Sequence, residues 1–264
     1  MSIDRSRRIT FEEMADIYLE TRPGYPGQLI EDVVQLSAIS PVGRILEIGC
    51  GPGNATIPFA KRGYEILAVE LGPRLANFAK EQCRPYPKVT IINMAFEDCP
   101  LEVSAFDLAI SADAFHWIVP EIGYPKVAKA LKPGCSLAFF WNVRCKTDSV
   151  LSESIRKVYS DCAPQAENPD DGFTPEWLVD TITQVINSSG CFDPITVKQY
   201  DTNEILTAEK YTRGLWTFSS HRPLMHETRI KLYEGIRKVI DEHGGSIEQK
   251  QKVVLFHTFV KKEK

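Results

Sequence analysis

The residues best suited to bind a ligand through the backbone lie in one short glycine-rich segment. An apolar run at 45–48 predicts a strand, and Gly49, Cys50, Gly51 and Gly53 follow it directly. Because glycine has no Cβ, a ligand can approach such a loop closely. The helix predicted after the loop would aim its free N–H groups at that ligand. We therefore expect these four residues to contact a ligand.

Two glycine fingerprints can be tested against this loop. The dinucleotide pattern G-x-G-x-x-G/A ends at Asn54 or Thr56, and neither is glycine or alanine, which disfavours NAD. The pattern G-x-x-x-x-G-K-[ST] does not occur, which excludes a P-loop. Glu47, two residues before Gly49, would suit the positive charge of a methionine-type ligand better than a pyrophosphate. Glu70 ends the next predicted strand, where a carboxylate can accept both ribose hydroxyls.

Alternating strands and helices must position this loop. In the first half they are predicted at 45–48, 54–61, 66–71, 73–83, 89–94, 106–111, 122–131 and 137–141. This alternation indicates a parallel sheet covered by helices on both faces. A capping box of Thr10 and Glu13 predicts a helix before it. Beyond residue 142 the pattern predicts helices at 149–159, 177–188, 208–218 and 225–243, strands at 195–200 and 253–260, and a surface loop at 163–172.

The segment EIGCGPG at 47–53, followed by Glu70, resembles the first two motifs of class I S-adenosylmethionine-dependent methyltransferases. The resemblance implies that the glycine loop wraps the amino-acid part of the cofactor and that Glu70, with Leu71 beside it, holds the ribose. The segment AFEDCP at 95–100 resembles the family segment that flanks the adenine, which implies roles for Phe96 and Glu97. Alanine stands where the family usually has aspartate at the start of that segment.

The segment SADAFHW at 111–117 leaves the fourth predicted strand at its C-terminal end, where ligands of open α/β sheets bind. Ser111 and Ala112 are expected to lie at the cofactor. The A-x-H-W pattern resembles the small-molecule branch that includes trans-aconitate methyltransferases. His116 could orient the substrate or take a proton, and Trp117 could line the substrate site. The alternative is that the histidine and tryptophan only pack together.

Two further segments are candidates for covering the substrate. The pattern Y-x-x-x-R-P-x-Y-P, which the same branch often carries, places Tyr18, Arg22 and Tyr25 before the first strand. The arginine could pair with a substrate or cofactor carboxylate, and the tyrosines could close over the sulfonium. The alternative is a segment that only covers the sheet edge. In the insertion between the last two strands, the candidates are Trp216, His221 and Arg222, whose basic members could equally be solvated residues at a helix end.

These observations and the resemblance imply an α/β fold with a Rossmann-like doubly wound sheet. We expect seven strands ending in a C-terminal antiparallel hairpin, with a helical cap from the N-terminus and from late insertions. The chain is expected to be a single methyltransferase domain over 1–264, with a helical cap at 1–43, a cofactor-binding core at 44–142 and a C-terminal part at 143–264.

Composition limits the partners. The net charge of −4 gives no basic excess for binding nucleic acid. The seven cysteines are scattered without a zinc-like Cys/His cluster, so no metal is expected. The N-terminus lacks the apolar stretch of a signal peptide, and no apolar run approaches the ~20 residues of a membrane helix. We therefore expect a cytoplasmic protein that does not bind membranes. The oligomeric state cannot be read from the sequence.

The sequence thus predicts an S-adenosylmethionine-dependent methyltransferase that acts on a small-molecule acceptor and releases S-adenosylhomocysteine. The sulfonium is already activated, so the residues do not demand a general base. Three alternatives stay open: an RNA or protein methyltransferase, a non-catalytic S-adenosylmethionine-binding module, and an NAD-dependent oxidoreductase, which both glycine frames disfavour.

Overall fold

Seven strands form one mixed sheet in the computed structural model, which describes residue 8 and residues 14–147 and 149–261. In chain order they are β1 Arg44–Ile48, β2 Glu65–Glu70, β3 Val89–Asn93, β4 Phe106–Ala112, β5 Leu131–Arg144, β6 Thr196–Thr207 and β7 Ser246–Phe259. Their spatial order is β3-β2-β1-β4-β5-β7-β6. The first five are parallel, whereas β7 is antiparallel to both β5 and β6. The predicted Rossmann-like sheet with a C-terminal antiparallel hairpin is confirmed.

Helices cover both faces of this sheet. They are α1 Ala15–Thr21, α2 Gly27–Ser37, α3 Thr56–Ala60, α4 Pro73–Cys83, α5 Pro120–Ala130, α6 Val150–Cys162, α7 Pro175–Ser189, α8 Ala208–Leu215 and α9 His226–Glu242. Apolar residues of α5 and α7 pack on one face, and those of α2, α3 and α4 pack on the other. The predicted capping box at Thr10 and Glu13 lies outside the described residues.

The helical period of apolar residues explains how α2 is held against the sheet. Leu29, Ile30 and Val33 recur at helical spacing and are buried in the same cluster as Ile45 and Phe140 of the strands. Each such side chain contributes about 1.5–3 kcal/mol on full burial. The helix therefore fixes the chain just before β1, which carries the glycine loop at its end.

A second helical layer has a core of its own. Helices α6, α8 and α9, with the turns that join them, are called the lid below. Tyr211, Leu215, Leu232, Ile236 and Ile240 are fully buried in the lid core. The lid packs over the far ends of β6 and β7, where the two strands pair only with each other.

Both last strands are longer than predicted. The sequence predicts strands at 195–200 and 253–260, but β6 continues to Thr207 and β7 begins at Ser246. Most residues at 201–207 are polar, and Leu206 is the buried one among them, so their strand conformation comes from pairing with β7 rather than from an alternation of apolar residues. This extension carries the lid away from the parallel sheet and leaves room for a cavity.

Residues 132–134, which lie between the helix predicted at 122–131 and the strand predicted at 137–141, are part of β5. Pairing with β4 begins at Leu131 opposite Phe106 and resumes at Ser136 opposite Leu108, so β5 bulges in between. Gly134 supplies the positive φ that this bulge needs. Within the described residues, no helix combines the length and the apolar character required to cross a bilayer.

Candidate functional site

The glycine loop has a backbone that only glycine adopts readily. Gly49, Gly51 and Gly53 have φ angles of 70°, 56° and 101°. A Cβ on Gly49 would lie 2.4 Å from Cβ of Ala114, whereas one on Gly51 would meet only Tyr18, at 3.9 Å. The first glycine therefore permits packing against the segment after β4, and the second leaves space beneath Tyr18.

The helix after this loop is shorter than predicted. The sequence predicts it at 54–61, but α3 spans only Thr56–Ala60. A helix of five residues has too few aligned peptide groups to attract an anion strongly. The backbone conformation of the loop, rather than a helix dipole, is therefore what could bind a ligand here.

Glu70 is fixed beside the loop at the end of β2. The Gly51 N–H donates to its Oε2 at 2.8 Å, and the Gly72 N–H donates to its Oε1 at 2.8 Å. The side chain is therefore held in one orientation at the C-terminal edge of the sheet. Because a carboxylate oxygen can accept more than one hydrogen bond, this arrangement can still receive hydroxyl donors.

A small cavity of about 110 Å³ opens next to Glu70. Many of the predicted cofactor residues line it, namely Gly49, Gly51, Glu70, Leu71, Phe96, Glu97 and Ala112. Phe96 is buried in a short 3₁₀ turn, Phe96–Asp98, and Glu97 pairs with Arg8. The small cavity thus offers a ligand the apolar ring of Phe96 and the carboxylate of Glu70.

Three residues predicted to bind the cofactor line neither cavity. Gly53 packs near Cys83 and Thr56 under the loop. Ser111 is fully buried and donates to the carbonyl oxygen of Ile48 at 2.7 Å. The third is Glu47, described next.

Glu47 lies buried beneath the glycine loop rather than facing a ligand. Its side chain is fully buried, and the Thr56 side chain lies beside it without completing a hydrogen bond of good geometry. Burial raises the pKa of Glu47 to about 7, with the Thr56 side chain opposing this effect and the charge of Glu70 reinforcing it. In this buried position, Glu47 does not face a positively charged ligand, so the direct attraction predicted from the sequence is not provided.

A larger cavity of about 430 Å³ adjoins the small one. The two share the lining residues Tyr18, Gly49, Gly51, Ala112, Asp113 and Trp117. The large cavity is also lined by Arg22, Tyr25, Cys50 and His116, all predicted site residues. The glycine loop therefore stands where the two cavities meet.

Arg22 joins the N-terminal segment to the lid. Its Nε donates to Thr217 Oγ1 at 3.1 Å, and its Nη2 donates to the Thr217 carbonyl oxygen at 3.2 Å. Its Cζ lies 5.1 Å from the ring centroid of Tyr18 and 4.7 Å from that of Phe218. Within the described part of the chain, Arg22 forms no ion pair with a carboxylate.

Asp113 is a site residue to which the sequence analysis assigned no role. Tyr25 Oη donates to Asp113 Oδ2 at 2.8 Å, and the Asn142 backbone N–H donates to Oδ1 at 2.9 Å. Burial raises the pKa of Asp113. An acid at the C-terminal end of a parallel strand is the sequence pattern that identified Glu70, and the same pattern could have identified Asp113.

His116 is held in one tautomer. Trp141 Nε1 donates to His116 Nδ1 at 3.0 Å. Indole N–H is only a donor, so Nδ1 is unprotonated and the neutral ring carries its proton on Nε2. Taking a proton at Nε2 would require the other tautomer and the loss of this bond from the buried Trp141. Of the two roles predicted for His116, the geometry favours orienting a substrate.

Of the three candidates in the late insertion, His221 lies in the lid core, and none of the three lines either cavity. The helix predicted to 218 ends at Leu215, and a 3₁₀ turn at Ser219–His221 directs His221 inward. His221 is 1% exposed, and its Nδ1 lies 2.9 Å from Tyr233 Oη. Burial lowers the pKa of His221 to about 4. Trp216 packs on Tyr233, and neither Trp216 nor Arg222 lines the cavity.

The segment at 163–172 is the predicted loop, between α6 and α7, and several of its residues are exposed, but Asp170 near its end is bonded to the cavity wall. Asp170 pairs with Arg144 at 3.0 Å and accepts hydrogen bonds from Tyr211 Oη at 2.6 Å and Gln249 Nε2 at 3.0 Å. Its partners line the large cavity, so the segment forms part of the cavity wall. The proline and acidic residues of the segment predict exposure to solvent, whereas Arg144, the half-buried partner of Asp170, is distant in sequence.

No group of His, Cys, Asp or Glu positioned to hold a metal occurs among the residues that the structure describes. The candidate site is therefore built from the glycine loop, carboxylates at strand ends, aromatic rings and two guanidinium groups.

Comparisons with known proteins place the first half of the chain. Residues 45–134 match the family described as Methyltransferase domain. An uncharacterized methyltransferase of Mycobacterium tuberculosis is 29% identical over 140 residues, which are 53% of this chain and 55% of that protein. The match therefore spans about half the length of this relative.

Solved structures share the fold. A putative type II methyltransferase from Anaeromyxobacter dehalogenans superposes with a TM-score of 0.62 at 18% identity, covering 92% of this chain and 99% of that one. Phosphoethanolamine N-methyltransferase 2 of Haemonchus contortus, solved with phosphomonomethylethanolamine and S-adenosylhomocysteine, has a TM-score of 0.55 at 18% identity and covers 96% of this chain and 58% of that one. Residues 45–134 therefore match a methyltransferase domain by sequence, and the chain shares the fold of these solved methyltransferases.

Proposed function

We propose that this chain is an S-adenosylmethionine-dependent methyltransferase that acts on a small-molecule acceptor, in the branch that includes trans-aconitate methyltransferases. The observation that carries the proposal is the meeting of two cavities at the glycine loop under Tyr18. The small cavity has the size and lining for a nucleoside, and the large one adjoins it on the side of His116.

The residues of the small cavity fit the nucleoside part of the cofactor. The carboxylate of Glu70 is held by two backbone N–H groups and can accept the ribose hydroxyls. The ring of Phe96 offers an apolar surface to the adenine. Gly51 leaves open the space that the chain from ribose to sulfur would need.

Residues that line the large cavity, two of them shared with the small one, fit the methionine part. Arg22 has guanidinium donors that form no ion pair within the described residues, and it suits the cofactor's carboxylate. Asp113 suits the amino group, because it lines both cavities. The rings of Tyr18 and Tyr25 lie on the same side of the loop and suit the sulfonium.

When bound, S-adenosylmethionine would supply an activated methyl group to an acceptor lone pair, and S-adenosylhomocysteine would leave with the electrons of the S–C bond. The chain itself aligns the two reactants and excludes water. His116 donates from Nε2 to orient the acceptor, because Trp141 occupies Nδ1.

The first test is binding of S-adenosylhomocysteine. At a ligand concentration of 100 times Kd, linkage stabilises the folded chain by about 2.7 kcal/mol, which corresponds to a rise in Tm of about 5 °C. Replacing Glu70 with glutamine should reduce the shift. No shift at millimolar ligand would overturn the proposal.

The second test identifies the acceptor class. The protein is incubated with methyl-labelled S-adenosylmethionine and either total RNA at low salt, extract protein or the small-molecule fraction of a cell extract. Label in the small-molecule fraction alone supports the proposal. Label in RNA or protein supports the polymer alternative, and cofactor binding without any labelled product supports a non-catalytic binding module.

A further inference from the structure

One wall of the large cavity is apolar. It is built by β5 and by the start of α7, with the lining residues Trp141, Val143, Phe173, Trp177, Leu178 and Ile182. Such walls with a few placed polar groups are typical of sites for drug-sized molecules, and the volume of about 430 Å³ lies in the usual range. This wall is distinct from the small cavity, which contains none of these six residues.

The charged side chains of the large cavity do not require a charged acceptor. Arg144 pairs with Asp170 at 3.0 Å, and Lys210 pairs with Glu204. Arg22, the remaining guanidinium, is assigned above to the cofactor. The space along the apolar wall therefore has little unbalanced charge to select an acidic body.

The rim of this wall exposes two aromatic side chains. Phe173 and Trp177 are 48% and 42% exposed, and their ring centroids are 5.4 Å apart. Both line the cavity, so this exposed patch is continuous with its interior. Single exposed apolar side chains are common on protein surfaces, whereas adjacent exposed aromatic rings at the mouth of a cavity indicate a binding site.

Local structure fixes the positions of both rings. Thr174 caps α7 by accepting a hydrogen bond from the Trp177 N–H at 3.2 Å, and Pro175 occupies the first turn. Phe173 precedes the cap, where a hydrophobic staple would bury it on Leu178. It instead contacts Trp177 and leaves about half of each ring exposed.

We propose that the acceptor is an amphiphile with a hydrocarbon body that lies along this wall and leaves the cavity across the paired rings of Phe173 and Trp177. Its nucleophilic group lies at the inner end, near His116 and the glycine loop. This proposal rests on the proposed function, because it names the acceptor of the same site.

Fluorescence binding with the full chain tests the proposal. N-phenyl-1-naphthylamine, an uncharged apolar probe, is titrated into protein saturated with S-adenosylhomocysteine, and a single-chain dodecyl alcohol is used as competitor. We expect the probe to bind the wild type, the alcohol to displace it, and Phe173→Ala with Trp177→Ala to raise the probe's Kd at least tenfold. Phe259→Ala is the matched control, because Phe259 is 37% exposed and lies outside both cavities.

The readouts separate the two proposals. The shift of Tm with S-adenosylhomocysteine must persist in the double variant, which shows that its fold and cofactor site are intact. If the shift persists but the probe fails to bind or binds the double variant equally, the amphiphile proposal is overturned and the proposed function stands. An absent shift in the wild type overturns the proposed function. If size-exclusion chromatography shows a dimer that the double variant converts to a monomer, the rim covers a second copy and the amphiphile proposal is also overturned.

Discussion

The buried carboxyl group of Glu47 makes the stability of this fold depend on pH in a calculable way. Its folded-state pKa of about 7 exceeds the usual value of 4.5. Between these values the folded chain binds more protons than the unfolded chain, so stability falls as pH rises. The contribution is fully present below about pH 4.5 and is lost by about pH 7. At about 1.4 kcal/mol for each tenfold change in proton affinity, the loss is about 3 kcal/mol.

Replacing Glu47 with glutamine keeps the shape of the side chain and removes its ionisation. We expect the free energy of unfolding of Glu47→Gln, relative to wild type, to increase by about 3 kcal/mol between pH 5 and pH 8. Both proteins share every other titrating group, so the difference isolates this carboxyl. Glu102→Gln is the matched control for the loss of one carboxylate, because the Glu102 side chain is 75% exposed rather than buried.

The assay is urea denaturation of the ligand-free protein, followed by tryptophan fluorescence at pH 5, 6, 7 and 8. The slope with urea must match between the proteins, since a changed slope would indicate a different unfolded state or loss of two-state behaviour. A difference between Glu47→Gln and wild type that stays constant over these pH values would refute the reasoning, because it would show that the carboxyl group is solvated or paired.

Three other predictions concern the site and the lid. Gly49→Ala should destabilise the fold because its Cβ would lie 2.4 Å from Cβ of Ala114. Gly51→Ala should fold, with a backbone cost of about 1 kcal/mol, and should lose most of its affinity for S-adenosylhomocysteine. The Tm reports the first effect and the calorimetric Kd reports the second. Glu70→Gln should raise the calorimetric Kd for S-adenosylhomocysteine at least tenfold, because an amide replaces one acceptor oxygen with a donor, and an unchanged Kd would remove this residue from the ribose site. His221 has a folded pKa of about 4 against 6.5 when unfolded, so stability should fall as pH decreases from 6.5 to 4, and Tm measured across that range should depend less on pH in His221→Gln than in wild type.

Much of the sheet can be predicted because its signals are local. The helix predicted at 73–83 is observed as α4 Pro73–Cys83, since proline at its start and a helical apolar period fix both its type and its boundary. The strand before the glycine loop is short, apolar and bounded by glycine, which leaves little ambiguity. Glu70 at the end of β2 is predictable for the same reason, because the strand that it ends is identified by a local apolar pattern.

The errors arise where distant segments decide the outcome. The polar stretch at 201–207 becomes strand only because β7 pairs with it. Asp170 is drawn inward by Arg144, which no local pattern in the loop indicates. His221 is turned into the lid core by a 3₁₀ turn, although its basic character and nearby loop suggested a residue facing substrate.

The N-terminal segment that contains Tyr18, Arg22 and Tyr25 is bonded on both sides of the place where the two cavities meet. Tyr25 is hydrogen-bonded to Asp113 after β4, while Arg22 is hydrogen-bonded to Thr217 in the lid. Tyr18 lines both cavities between these two attachments. A displacement of this segment would move Tyr18, which lines both cavities, and would have to break a contact to the sheet edge or to the lid. If the segment does close over the cofactor, the same movement completes the wall against which the acceptor is oriented, and binding of either ligand should favour binding of the other.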